Sequence, residues 1–243
     1  MFGIPNQKSH KEIVENLFYF SELQMLDCNM YVLKDEDEKL TVIDLGNGLS
    51  MKPFIASLEH LGLNPANISN ILITHEHLDH IMGIYPLMEF LKENPPAILA
   101  HPYTAELLEE GDEHKIVPRM FGVNAKTFGI NVVPIKKITR LENKDQVKVG
   151  KFDLRVFYTP GHSLGSVSFF DENKKILFPG DVVFPQGSFG RYDFPGCSLK
   201  DLKNSINVLA DLDTEILCAG HMPPVEHNAK EQIARSKKNI NWM

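Results

Sequence analysis

Short apolar runs separated by polar turns shape the first part of the chain. Residues 17–20, 29–33 and 40–45 read as strands, and Asp35-Glu36-Asp37-Glu38 between the last two reads as a polar hairpin turn. The period then changes from two to three and four. Phe54, Ile55, Leu58 and Leu61 mark one helical face, with Ser50 as the expected N-cap and Pro53 tolerated in the first turn. Residues 68–73 read as a short buried strand. A helix is expected over 81–91 despite Pro86, and Pro95-Pro96 stops it before a strand at 98–100.

The second half repeats this grammar. Strands are expected at 132–138, 152–158, 167–170 and 175–178, with Asp171-Glu172-Asn173-Lys174 as a turn. Leu199, Leu202, Ile206 and Leu209 predict a helix capped by Ser198. A last strand is expected at 215–218, and Asn228 with Glu231 resembles a capping box for the terminal helix. Two sheets packed face to face with helices outside account for this order. No repeat or linker divides the chain, so residues 1–243 read as one domain. Residues 103–133 stand apart. They begin as a helix over 103–110 and continue with Met120, Phe121 and Phe128 among glycines. That segment reads as a lid or binding loop, or as an insertion packing on the core or on a second copy in a homodimer.

Chemistry collects at the strand ends. Ile71-Leu72-Ile73 leads to Thr74-His75-Glu76-His77-Leu78-Asp79-His80, and Val156-Phe157-Tyr158 leads to Thr159-Pro160-Gly161-His162-Ser163. Ile176-Leu177-Phe178 leads to Pro179-Gly180-Asp181, and Ile216-Leu217-Cys218 leads to Ala219-Gly220-His221. A buried strand does not deliver polar residues past its end without partners for them. Imidazole nitrogen and carboxylate oxygen are ligands for zinc and iron. The seven groups His75, His77, Asp79, His80, His162, Asp181 and His221 suffice for two adjacent ions sharing one carboxylate. A two-metal site makes a strong nucleophile from water at neutral pH.

Composition narrows the function. The formal net charge of −7 disfavours nucleic acid as the main partner. No apolar run is long enough to span a bilayer, and the N-terminus lacks the apolar core of a signal peptide. The three cysteines, Cys28, Cys197 and Cys218, are too few and too far apart for a disulfide framework, which places the chain in a reducing cytoplasm.

These motifs, with Val42-Ile43-Asp44-Leu45-Gly46, resemble the metallo-β-lactamase superfamily, and within it the glyoxalase II-like hydrolases. The resemblance covers most of the chain and implies an α/β fold, a four-layer αββα sandwich. It implies one metal on His75, His77 and His162, a second on Asp79, His80 and His221, and Asp181 bridging. Asp44 matches the family's strand-end aspartate and reads as a residue that orients a ligand. The implied reaction is hydrolysis of a thioester, ester or lactone with two divalent ions, zinc first and iron as the alternative. A bridging hydroxide attacks the carbonyl, and Asp79 or Asp181 takes a proton. The partner is then a small acyl substrate, with neither nucleic acid nor membrane.

Departures from family patterns sharpen the substrate. Asp181 replaces the cysteine of the best-known zinc β-lactamases, Phe184 stands where acyl-homoserine lactonases carry tyrosine, and His77 replaces the glutamate of flavodiiron proteins. Gly190-Arg191-Tyr192-Asp193-Phe194 occupies the region where glyoxalase II holds glutathione, so Arg191 and Tyr192 are the candidate substrate contacts. The same segment resembles Gly-Arg-Thr-Asp-Phe of the persulfide dioxygenases, mononuclear iron enzymes on the same fold. Their ligands correspond to His75, His162 and Asp181, which gives the competing expectation.

Overall fold

The computed structural model describes residues 10–117 and 122–243. The N-terminal residues 1–9, on which the expected absence of a leader rests, and Met120 and Phe121 of the 103–133 segment lie outside the described residues. The chain forms two compact units. The first takes the described residues of Met1–Ile73, His77–Leu99 and Glu106–Thr139; the second takes Thr74–Glu76, Ala100–Ala105 and Arg140–Met243.

The first unit is built on a sheet of order β1-β2-β3-β4-β5-β6-β7. Its strands are β1 (His10–Val14), β2 (Leu17–Phe20), β3 (Met30–Lys34), β4 (Leu40–Ile43), β5 (Ile68–Leu72), β6 (Ala97–Ala100) and β7 (Thr139–Arg140). Strands β1 to β4 are antiparallel neighbours, whereas β4, β5 and β6 run parallel. Parallel pairing needs a crossover, and α1 (Met51–His60) supplies it between β4 and β5. Its buried face is Met51, Phe54, Ser57 and Leu58, and the Phe54 ring meets Phe20 of β2 edge-on at 4.9 Å. Ser50 does not cap α1 as expected. Its hydroxyl donates instead to the buried Asp27 Oδ1 at 3.0 Å.

The helix expected over 81–91 is two helices, α2 (Leu78–Ile81) and α3 (Ile84–Phe90). Gly83 lies at the break, where a Cβ would stand 1.9 Å from the Leu45 carbonyl oxygen. That close approach is sealed by Gly83 N donating to Gly46 O and Leu45 N donating to His80 O. Pro86 is the third residue of α3, inside a first turn whose N–H groups have no helical acceptor anyway. In the 103–133 segment come α4 (Pro102–Glu110), α5 (Glu113–Ile116) and a 3-10 turn, Ala125–Phe128. Ala125, Phe128 and Ile130 are buried. The strand expected at 132–138 does not form. Pro134 has no N–H to offer a ladder, and Ile135 N donates to Leu108 O instead.

The second unit carries a five-stranded sheet of order β12-β11-β10-β9-β8. The strands are β8 (Gln146–Val149), β9 (Phe152–Tyr158), β10 (Val167–Asp171), β11 (Ile176–Gly180) and β12 (Ile216–Ala219). All pairs are antiparallel except β11 with β12, which α6 (Leu199–Ala210) connects. Ser198 caps α6 as expected, accepting from Asp201 N at 3.2 Å. Leu202, Ile206 and Leu209 pack with Phe170, Leu177 and Leu217 of the sheet and with Ile233 and Ile240 of α7 (Ala229–Asn241). Each fully buried leucine or isoleucine there contributes about 1.5–3 kcal/mol. The capping box expected at Asn228 is absent. Asn228 sits in the left-handed region at φ 58° and makes no side-chain cap bond. Among the described residues no helix is long and apolar enough to cross a membrane.

Candidate metal centre

In the first unit the site begins at the C-terminal end of β4. Asp44 has a left-handed φ of 58°, a conformation costly for a residue with a Cβ and found where the surroundings enforce it. Its amide donates to Leu72 O of β5, and its Oδ2 lies 2.8 Å from His80 Nδ1. Both side chains are buried. The ring N–H of His80 thus points at a carboxylate, which leaves Nε2 as the basic nitrogen. The Cys28 thiol stands with this pair, all three offering ligand atoms within 4.8 Å of one another. Burial pushes Cys28 up to about 12, so it is a neutral thiol. His77 is the N-cap residue of α2, with extended backbone, and Asp79 lies in that helix's first turn.

The second unit brings four of the seven expected ligands together. Asp181 follows β11, His221 follows β12, His162 lies between β9 and β10, and His75 belongs to the short stretch Thr74–Glu76. Asp181 Oδ2 is 3.2 Å from His221 Nε2 and 3.6 Å from His162 Nε2. The His75 and His162 rings meet edge-on at 4.9 Å, and His75 also has a ring nitrogen within 4.8 Å of an Asp181 oxygen.

His162 and His75 are held from behind. His162 Nδ1 donates to Arg191 O at 2.9 Å, and Cys197 Sγ donates to His162 O at 2.8 Å. His75 Nδ1 lies 3.0 Å from Thr74 Oγ1. Two glycines make room for the approach. A Cβ on Gly180 would stand 2.7 Å from Thr74 Oγ1, and one on Gly190 would stand 2.8 Å from His162 Nδ1. Imidazoles tied at Nδ1 with Nε2 turned toward a carboxylate are the donor set expected of a zinc or iron site, and the residues fit such a metal.

Both candidate substrate contacts are engaged within the protein. Arg191 is exposed, its guanidinium doubly bonded to Asp193 at 2.9 and 2.7 Å and its Cζ 4.2 Å from the Phe194 ring centroid. Tyr192 packs against the α6–α7 core, with its hydroxyl 4.0 Å from Met243 Sδ. His101 stacks on Tyr158, and His227 is exposed beside Glu215. Sequence reasoning passed over Glu76, a partly buried carboxylate whose pKa loss of solvent raises and whose hydrogen bonds lower. Its place between two candidate ligands in the turn that follows β5 was the available signal.

Comparison with known proteins places the chain in a family. The family model described as the metallo-beta-lactamase superfamily matches residues 24–221. The chain is 28% identical to hydroxyacylglutathione hydrolase GloC of Haemophilus influenzae over 79% of its length and 84% of the relative's. It is 27% identical to the acyl-coenzyme A thioesterase MBLAC2 of Bos taurus over 72% of its length and 66% of the relative's. Among solved structures, TTHA1623 in a di-iron-bound form superposes with a TM-score of 0.68 at 27% identity, covering 91% of this chain and 98% of that one. The expected α/β fold is borne out, in a superfamily that is typically hydrolytic and usually binds metal ions. The chain belongs to the metallo-β-lactamase superfamily.

Proposed function

We propose that this protein is a metal-dependent hydrolase of small acyl substrates, thioesters foremost, with His75, His77, Asp79, His80, His162, Asp181 and His221 holding two divalent ions. The observation that carries the reading is the Asp181 carboxylate, with ring nitrogens of His162 and His221 on one oxygen. A carboxylate so placed suits a shared ligand. Zinc is the favoured metal on the nitrogen-rich donor set. Two relatives named for acylglutathione and acyl-coenzyme A hydrolysis favour acyl–sulfur bonds. The free cysteines support a cytoplasmic setting.

Divalent ions held by these residues would supply hydroxide at neutral pH, the pKa of water falling from 15.7 to about 7, and would polarise an acyl carbonyl. The chain's own part is to orient and to move protons. Asp44 and the Arg191 carbonyl hold His80 and His162 in single tautomers. Asp79 or Asp181 would take a proton in the attack on the acyl group. Val182, directly after Asp181, and Ala219, just ahead of Gly220-His221, belong to the apolar cluster around β11, β12 and α6 and anchor that corner of the site.

A second reading keeps one observation on its side. His75, His162 and Asp181 cluster within a single unit, and two histidines with one carboxylate suit mononuclear iron and a persulfide dioxygenase. Metal analysis of protein purified without added metal or chelator decides between them. Near two zinc ions per chain, with thioester cleavage lost on chelation, supports the hydrolase. Near one iron per chain, with oxygen uptake on a persulfide and no thioester cleavage, overturns it.

A further inference from the structure

Glu76 separates His75 from His77 in the sequence, and its carboxylate turns onto the loop that follows His162. Oε2 accepts from Ser163 Oγ at 3.0 Å and from Gly165 N at 3.1 Å, while Oε1 accepts from Leu164 N at 3.1 Å. Thr104 Oγ1 adds a longer contact at 3.4 Å. The far side of the loop is pinned as well. Tyr158 Oη donates to Leu164 O at 3.1 Å, and Ser163 Oγ lies 2.7 Å from Ser166 Oγ. Space has been cleared for this arrangement: a Cβ on Gly165 would stand 2.3 Å from Thr104 Oγ1 and 2.5 Å from Glu76 Oε2.

We infer that Glu76 is a positioning residue that fixes His162 beside His75 and thereby sets the affinity of the metal centre. The inference rests on the metal-site reading above. Its warrant is covalent economy. Glu76 follows one ligand directly and Ser163 follows the other, so the Glu76–Ser163 bond clamps two ligands through one peptide link on each side. A carboxylate offers acceptors only, which suits two successive backbone N–H groups and a hydroxyl. An amide of the same shape replaces one oxygen with a donor and sets it against donors. Outer partners that orient metal ligands are worth about 10- to 100-fold in metal affinity.

The test is zinc titration of chelator-stripped full-length protein against a chromophoric chelator, with circular dichroism to establish folding. Glu76→Gln should raise the zinc dissociation constant about 10- to 100-fold, and Ser163→Ala should raise it by less. Leu209→Ala, which loosens the core behind α6, should lower the melting temperature and leave the zinc constant unchanged. Binding by Glu76→Gln equal to wild type, or an equal weakening by Leu209→Ala, makes Glu76 merely structural and overturns the inference. Should Glu76→Gln fail to fold, Ser163→Ala carries the same decision. Absence of zinc binding by the wild type brings down the metal-site reading itself, and this inference with it.

Discussion

Asp44 Oδ2 lies 2.8 Å from His80 Nδ1, with both side chains out of solvent. The contact joins the end of β4 to α2, and Asp44 reaches it from a left-handed backbone that costs about 1–3 kcal/mol. Asp44→Ala should therefore cost about 10- to 100-fold in metal affinity. Asp44→Asn, which tolerates the same backbone and still accepts a hydrogen bond, should cost less. Chelator competition measures both. An alanine variant that binds like wild type would reduce Asp44 to a turn residue.

Loss of single ligands separates the two chemistries. His77→Ala and Asp181→Ala should each abolish hydrolysis while far-UV circular dichroism stays native. Near-normal turnover in either one refutes the two-metal mechanism. If the protein is instead a dioxygenase, oxygen uptake should survive His77→Ala and vanish in His75→Ala.

Two glycines should resist substitution. Gly161 has φ 126°, and a Cβ there would stand 2.1 Å from Leu202 N; Gly180 has φ 54°, and its Cβ would press on Thr74. Alanine at either position should destabilise by at least the ~1–3 kcal/mol of backbone strain, with Gly161→Ala the worse because it meets backbone. Urea denaturation reads this as a lower midpoint at unchanged slope. A midpoint equal to wild type would show that α6 moves aside freely.

The core behind the site should be conventional in its energetics. Leu202 is fully buried between α6, the sheet and α7. Leu202→Ala should cost about 2–5 kcal/mol, seen as a lowered thermal midpoint. A cost under 1 kcal/mol would mean that the helix collapses into the space.

The thiols should react in a fixed order. Burial pushes Cys28 up to about 12 and Cys218 well above its usual value, and both side chains are sealed from solvent. Cys197 is partly exposed, and loss of solvent raises it less completely. The thiolate is the reacting form, so alkylation of native protein should modify Cys197 alone and accelerate as pH rises. Cys28 and Cys218 should label only with denaturant present. Early labelling of Cys28 would show that the Asp44–His80 corner opens.

How much of this was legible in the sequence follows from what each residue depends on. Leu17–Phe20 and the strands ahead of Asp181 and His221 are buried throughout and almost wholly apolar, so they could be read directly. Phe152–Tyr158 instead interleaves Asp153 and Arg155 with its buried residues, as a strand with one exposed face does. The edge strands His10–Val14 and Gln146–Val149 escaped notice because they are half exposed and polar. Residues 132–138 misled in the opposite way, an apolar run whose amide at Ile135 finds a helical carbonyl instead of a neighbouring strand. Ser50 had the composition of a cap, but Asp27, far away in sequence, took its hydroxyl. Ligand types were visible as a motif. The groups that aim them, Glu76 on Ser163 and the Arg191 carbonyl on His162, act across 87 and 29 positions and leave no local trace.

The order of the second unit's donors along the chain has a consequence for biosynthesis. His75 emerges early, His162 and Asp181 much later, and His221 only with β12, the last strand, which must find β11 across the α6 connection. At about 5–20 residues per second, a nascent chain exposes its first imidazoles for many seconds before the final one exists. Until Asp181 is made, His75 and His162 lack the carboxylate they stand beside in the finished fold. The second unit's donor set is complete only once the last parallel pair has closed, so a ligand that needs all four of its donors finds them together at the end of folding.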